Sequence, residues 1–141
     1  MSADINDVRT AIRAILIGDA ALLALLEGEA RVFYLQVRKS ARDKIPTVTY
    51  FDTADRPDRN VPFQVRSLTF NIWARNIGEA GDITSRIITL LDKAPVTIPS
   101  GDWRVNYVHF VSAVEGLLEE GDIVQKSLEF EYSVYDLTQT V

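Results

Sequence analysis

At residue 31 the hydrophobic period changes from between three and four to two, and three strand patterns follow before the next helix pattern. No crossover helix separates those strands, so consecutive ones are expected to pair antiparallel, and the order is not the repeating βαβ of a parallel sheet. Upstream, Ile5, Val8, Ile12, Ile15 and Leu16 recur at helical steps. They predict a helix over about residues 4–17, capped by Asp4 or Asn6. Gly18 interrupts it, Asp19 is placed to cap a second short helix from Ala20 to Leu26, and Gly28 ends that one.

Arg31–Leu35 and Pro46–Phe51 read as strands, the second with its proline at the start, where a missing amide is tolerated. The polar stretches Arg38–Lys44 and Asp52–Asn60 read as loops. Residues 62–75 carry the clearest strand: Leu68, Phe70, Ile72 and Ala74 alternate with Ser67, Thr69, Asn71, Trp73 and Arg75. The aliphatic set is expected to pack under the helices, which leaves Trp73 on the second face. Ile83, Ile87, Leu90 and Leu91 mark a third helix, closed by Pro95 and loosened in its first turn by Gly81. Two long strands finish the chain. Trp103, Val105, Tyr107, His109 and Val111 share one face of the first. In the second, Leu128, Phe130, Tyr132 and Val134 oppose Ser127, Glu129, Glu131, Ser133 and Tyr135. The pattern predicts an α+β fold: a single, largely antiparallel sheet of about five strands with helices packed on one face. At 141 residues and 47% hydrophobic content, one domain over residues 1–141 is expected.

Composition removes whole classes of chemistry. There is no cysteine, which excludes disulfide scaffolds, thiolate metal sites and cysteine nucleophiles, and a single histidine excludes sites that need two imidazoles. A net charge of −5 argues against a general polyanion binder. The start of the sequence is acidic and polar, and its apolar runs fall short of a membrane span. A soluble protein made in the cytoplasm is expected. No nucleophile elbow, phosphate loop, zinc-protease or calcium-loop motif is present. His109 sits mid-strand among apolar and aromatic residues. The carboxylate pairs Glu119/Glu120 and Glu129/Glu131 lack any sequence sign of the desolvated cleft that acid–base chemistry needs. No catalytic residue, cofactor site or metal site is predicted, and an enzyme is not expected.

Charge is segregated along the chain. Residues 31–66 hold eight basic residues against four acidic, a balance of +4, while residues 115–136 hold seven acidic residues against Lys126, a balance of −6. A basic edge and an acidic edge on one subunit permit head-to-tail contacts that close into a ring. The candidate contact residues are Arg38, Lys39, Arg42, Lys44, Arg56, Arg59 and Trp73 with Glu115, Glu119, Glu120 and Asp122.

From about Ile5 to Asp136 the chain resembles the tail-terminator, or tail-completion, proteins of long-tailed bacteriophages. The resemblance rests on pieces in order: Gly18–Leu26, with its small and leucine-rich residues; the proline-led Ile45–Tyr50; Leu68–Ala74 followed by Glu79-Ala80 and the helix through Leu91; and an acidic loop leading into Lys126–Tyr135. It implies a small α+β fold and a ring, a hexamer by the family's habit. That ring caps the tail tube, stops its polymerisation and meets the head connector, and DNA passes through it without specific binding. The implied partners are further copies of the chain, the tail-tube protein and a head-completion protein. The implied location is the virion tail, after assembly in the bacterial cytoplasm, with no membrane involved. Arg38–Lys44 and Asp52–Asn60 fall where the family has lumen or interface loops. The basic character of the first favours an intersubunit or tube-facing position, since cationic walls would retain passing phosphate. The competing reading is a small-ligand or single-stranded nucleic-acid module that uses the basic loop 38–44 and exposed aromatics such as Trp73 and Trp103.

Overall fold

In the computed structural model the described residues are 4–34, 45–54, 63–106, 108–117 and 123–138. The elements are α1 (Asn6–Ile17), α2 (Ala20–Leu25), β1 (Val32–Tyr34), β2 (Thr47–Ala54), β3 (Phe63–Ala74), α3 (Ile77–Leu91), β4 (Trp103–Val105), β5 (His109–Leu117) and β6 (Val124–Asp136).

The helix ends follow their local chemistry. At α1 the expected cap by Asp4 or Asn6 is corrected: Ile5 stands at the N-cap with no side-chain cap bond, and Asp4 Oδ1 accepts only the Asn6 amide, at 2.9 Å. Asp19 caps α2 by accepting the Leu22 amide, also at 2.9 Å. Gly18 is required between them, because a Cβ there would stand 2.9 Å from the Ala14 carbonyl oxygen. The first turn of α3, just ahead of Gly81, carries a reciprocal cap. Asn76 Oδ1 accepts the Glu79 amide at 2.8 Å, and Glu79 Oε1 reaches back to the Arg75 amide at 3.1 Å. That helix ends at Leu91, ahead of Pro95, with Lys93 at a φ of 61° turning the chain.

The sheet order is β1-β2-β3-β6-β4, with β5 also on β6. β6 is the spine. One of its edges pairs antiparallel with the whole of β3, and the other pairs first with β4 and then with β5. Five sheet positions therefore hold six strands. The expected largely antiparallel sheet is present with one correction: β1 lies parallel to β2, so the sheet is mixed. Parallel neighbours need a connection of about a dozen residues. The chain between Tyr34 and Thr47 has that length, and it carries no helical periodicity to betray the crossover.

The strand expected over residues 103–111 is two strands. Trp103 is buried, the chain breaks out of the ladder, and Val108 rather than His109 turns inward. Asn106 fastens the break, its amide donating to Ser133 O at 2.9 Å and its Nδ2 to Ser133 Oγ at 2.7 Å. A bulge between Phe110 and Ser112 then leaves Val111 exposed, so His109 and Val111 do not share the face of Trp103.

One sheet face carries the core. Leu68, Phe70, Ile72 and Ala74 lie buried on it beside Leu128, Phe130, Tyr132 and Val134, as their alternation predicts. Val8, Ile12 and Leu16 of α1 and Ile83, Ile87 and Leu91 of α3 belong to the same core. An aromatic chain crosses this face from β1 to β5. Its ring centroids are 5.3 Å apart for Tyr34–Tyr50, 5.7 Å for Tyr50–Phe70, 5.7 Å for Phe70–Phe130 and 5.6 Å for Phe130–Phe110.

Candidate assembly surface

The face away from the helices mixes polar and apolar side chains: Thr49, Asn71 and Ser127 share it with Phe51, Phe63, Val65, Trp73 and Tyr135 on the middle strands. The exposed large apolar side chains among the described strand residues stand on the outer strands β1 and β5. Cross-strand register joins Phe33 to Thr49, Thr49 to Asn71, Asn71 to Ser127 and Ser127 to Val114. The middle of this row satisfies itself: Asn71 Oδ1 accepts from Ser127 Oγ at 2.7 Å and from Gln125 Nε2 at 3.2 Å. The row ends do not. Phe33 is 36% exposed and Val114 62% exposed, with Val111 at 52% beside it. Trp73 lies on this face, as its alternation predicts. It is half-buried, and its indole N–H points to Thr49 Oγ1 at 3.4 Å. His109 is exposed at the register of Glu131, and Glu129 and Glu131 stand on the same open face rather than in a cleft.

On the core face a polar network fixes β2. The Asp52 carboxylate is fully buried. Its Oδ1 receives Arg9 Nε at 2.7 Å and the Tyr34 hydroxyl at 3.2 Å; its Oδ2 receives Arg66 Nε at 2.9 Å and the Tyr132 hydroxyl at 3.1 Å. Burial alone would push the Asp52 carboxyl up, but the Arg66 and Arg9 guanidiniums outweigh it and hold the group below the ordinary carboxylate value. Tyr132 moves the other way, raised by burial and by the neighbouring Asp52 charge. One carboxylate thus ties α1, β1, β3 and β6 to β2. From sequence alone Asp52 stands at the head of the polar stretch Asp52–Asn60. The missed signal is its spacing: Val48, Tyr50 and Asp52 continue one inward face, as Arg66 does for Leu68 and Phe70.

A second clamp joins helices. Arg86 grips Asp19 with both Nε and Nη2 at 2.7 Å, and this hydrogen bonding lowers the Asp19 carboxyl to about 2. At the start of β1, Arg31 pairs with Glu29 at 2.9 Å and with Glu27 at 3.6 Å, and Arg75 pairs with Glu27. Part of the positive balance over residues 31–66 is therefore neutralised inside the subunit at Arg31, whose partners lie outside that stretch, whereas Arg66 pairs with Asp52, which the balance already counts.

Of the residues singled out for contact, Arg38, Lys39, Arg42, Lys44, Arg56, Arg59, Glu119, Glu120 and Asp122 lie outside the described residues. Glu115 stands in β5 at the register of Lys126. Trp103 is buried, its indole N–H donating to Asp4 O at 3.0 Å, so it is not the exposed aromatic platform expected of a nucleic-acid module. Among the described residues no cluster of acidic residues and histidine is placed to hold a metal ion, and no helix is long and apolar enough to cross a membrane.

Residues 10–135 match the profile of the family described as Tail completion protein gp17. No curated protein sequence matches at a significant level. Among solved structures, a chain from the virion of a native gene transfer agent particle superposes with a TM-score of 0.75 at 18% identity, covering 91% of this chain and 94% of that one. At that identity the superposition speaks for the fold.

Proposed function

We propose, from the premise that the chain belongs to the tail-completion gp17 family, that it is a terminator: a ring, six copies in number, that caps the tail tube. The ring halts tube polymerisation and offers its far side to the head connector. The whole chain acts as one such domain, and DNA passes through the ring without being read. The role is one of shape and contact, with no catalysis and no cofactor. Its place is the virion tail, reached by assembly in the host bacterial cytoplasm. The observation that carries the reading is the family match along nearly the whole chain. Support comes from a fold shared with a chain of a phage-like virion and from apolar side chains left open at both outer strands of the sheet.

The test is tube growth. Purified tail-tube protein is allowed to polymerise with and without this chain, while native mass measurement follows the assemblies. Tubes are expected to stop elongating and to carry a defined multiple of this chain at one end. Unchanged elongation, with this chain monomeric throughout, overturns the reading.

A further inference from the structure

The sheet has two outer edges, and the register row from Phe33 to Val114 runs from one to the other. Most of the backbone at these edges is closed. At β1, Arg13 Nε donates to Val32 O at 2.8 Å. At the start of β5, the Lys93 amide donates to Val108 O at 2.6 Å, and Asp92 Oδ1 accepts the Phe110 amide at 3.0 Å. From residue 111 to 117 no described residue pairs with the side of β5 that faces away from β6. Proteins commonly guard such an edge with charge or proline. Among the described side chains of this stretch, Val111, Ala113 and Val114 are exposed and Ser112 is half-buried.

Three facts agree on what covers it. Phe33 and Val114 project from the same sheet face and sit at the same level of the register, so a copy displaced sideways brings one beside the other. β1 and β2 run together, and each later step across the sheet reverses direction, so β5 is antiparallel to β1. A neighbour's β1 would then meet β5 in the more stable antiparallel sense. Each copy also owns one edge of each kind, which makes the contact head-to-tail and lets a rotation close it.

We infer that the open edge of β5 seats the β1 edge of a second copy, with Phe33 of that copy against Val111 and Val114, so that the sheet continues from subunit to subunit. The inference rests on the ring reading and names its joint. Arg13 already occupies Val32 O, so the side-chain contact and the groups beyond Val32 carry the joint more than a full ladder does.

The absence of cysteine gives a clean background for its test. The pair Phe33→Cys with Val114→Cys is oxidised under assembly conditions, since adjacent cross-strand positions lie within disulfide reach. Three controls accompany it: each single variant, the pair Phe33→Cys with Leu137→Cys, and native mass measurement of the wild type. A ladder of covalent multimers in the first pair alone is the expected result. Dimers from Val114→Cys by itself show a two-fold β5–β5 contact and overturn the inference. Wild-type rings without a ladder overturn the joint and leave the ring reading standing. A ladder without closed rings supports the joint and counts against the ring.

Discussion

Asp52 and Arg66 are diagonal neighbours on adjacent antiparallel strands, joined Oδ2 to Nε at 2.9 Å with the carboxylate wholly out of solvent. With Arg9 on its other oxygen, this carboxylate neutralises cations that neither helix nor sheet could otherwise bury. Removing one member of such a pair costs more than the pair itself contributes, because the remaining charge stays desolvated. Asp52→Asn is therefore expected to lower unfolding free energy by about 3 kcal/mol. Tyr132→Phe, which removes one hydrogen bond and no charge, is expected to cost about 1 kcal/mol. Urea midpoints of the two variants check the order. A Tyr132 variant weaker than the Asp52 variant contradicts it.

Stability should depend on pH at both extremes. Asp52 is held below its ordinary value and Asp19 at about 2, so both bind fewer protons folded than unfolded in acid. Their contribution is complete above the unfolded carboxylate value of about 4 and is lost as pH falls toward 2. Tyr132 is raised, so its contribution is complete below about 10 and is lost as pH climbs past that value. Melting temperature is thus expected to be level from pH 5 to 8 and to fall on either side. Asp19→Asn should make the acid fall shallower. A melting temperature that rises from pH 5 to 3 contradicts the assignment.

How much of this was legible beforehand depended on whether a signal was local. The alternation in β3 and β6, the Asp19 cap and the stripe on α3 all read correctly, because pattern and burial coincide within one element. The parallel seat of β1 did not, since pairing partner and direction are settled between elements. The break before Val108 was invisible for a different reason: the residues on both sides of it suit a strand, so alternation could be read straight through. Asp52 reads as a loop residue from sequence because an inward carboxylate in a strand makes sense only where Arg9 and Arg66 converge on it. The row from Phe33 to Val114 is the sum of four registers, none of which is written in any single segment.

Thr84 offers a stabilising change. It faces the core from α3, and its hydroxyl has no hydrogen-bond partner among the described residues. A buried hydroxyl without a partner keeps its desolvation penalty. Thr84→Val replaces that group with a methyl of similar size and is expected to add about 1 kcal/mol. Equilibrium denaturation reads it, and a loss of stability would mean that the hydroxyl is satisfied.

Gly81 offers another. It lies within α3, and a Cβ built there meets nothing within 4 Å. Alanine loses less backbone freedom than glycine in a helix. Gly81→Ala should therefore stabilise by up to about 1 kcal/mol, seen as a higher denaturation midpoint with an unchanged slope. A drop would mean that a Cβ at this position is not accommodated in the folded chain.

The segregated charges give a prediction about assembly rather than folding. Arg38 and Arg42 lie in the basic stretch, and Glu119 lies in the acidic one. Exposed ion pairs contribute only about 0–1 kcal/mol each, so these residues are expected to set orientation and register between copies more than affinity. Where the two stretches face one another between copies, Arg38→Glu combined with Arg42→Glu turns an attraction into a repulsion. Assembly is expected to weaken by about tenfold, equivalent to about 1.4 kcal/mol, and more strongly at low salt, where screening is least. Adding Glu119→Lys should restore part of the loss if the two stretches meet across the joint. Sedimentation at two ionic strengths, with tail-tube protein present, separates the outcomes. A double reversal that leaves the rings and their salt dependence untouched means the charges do not face one another, and the joint then rests on its apolar contacts alone.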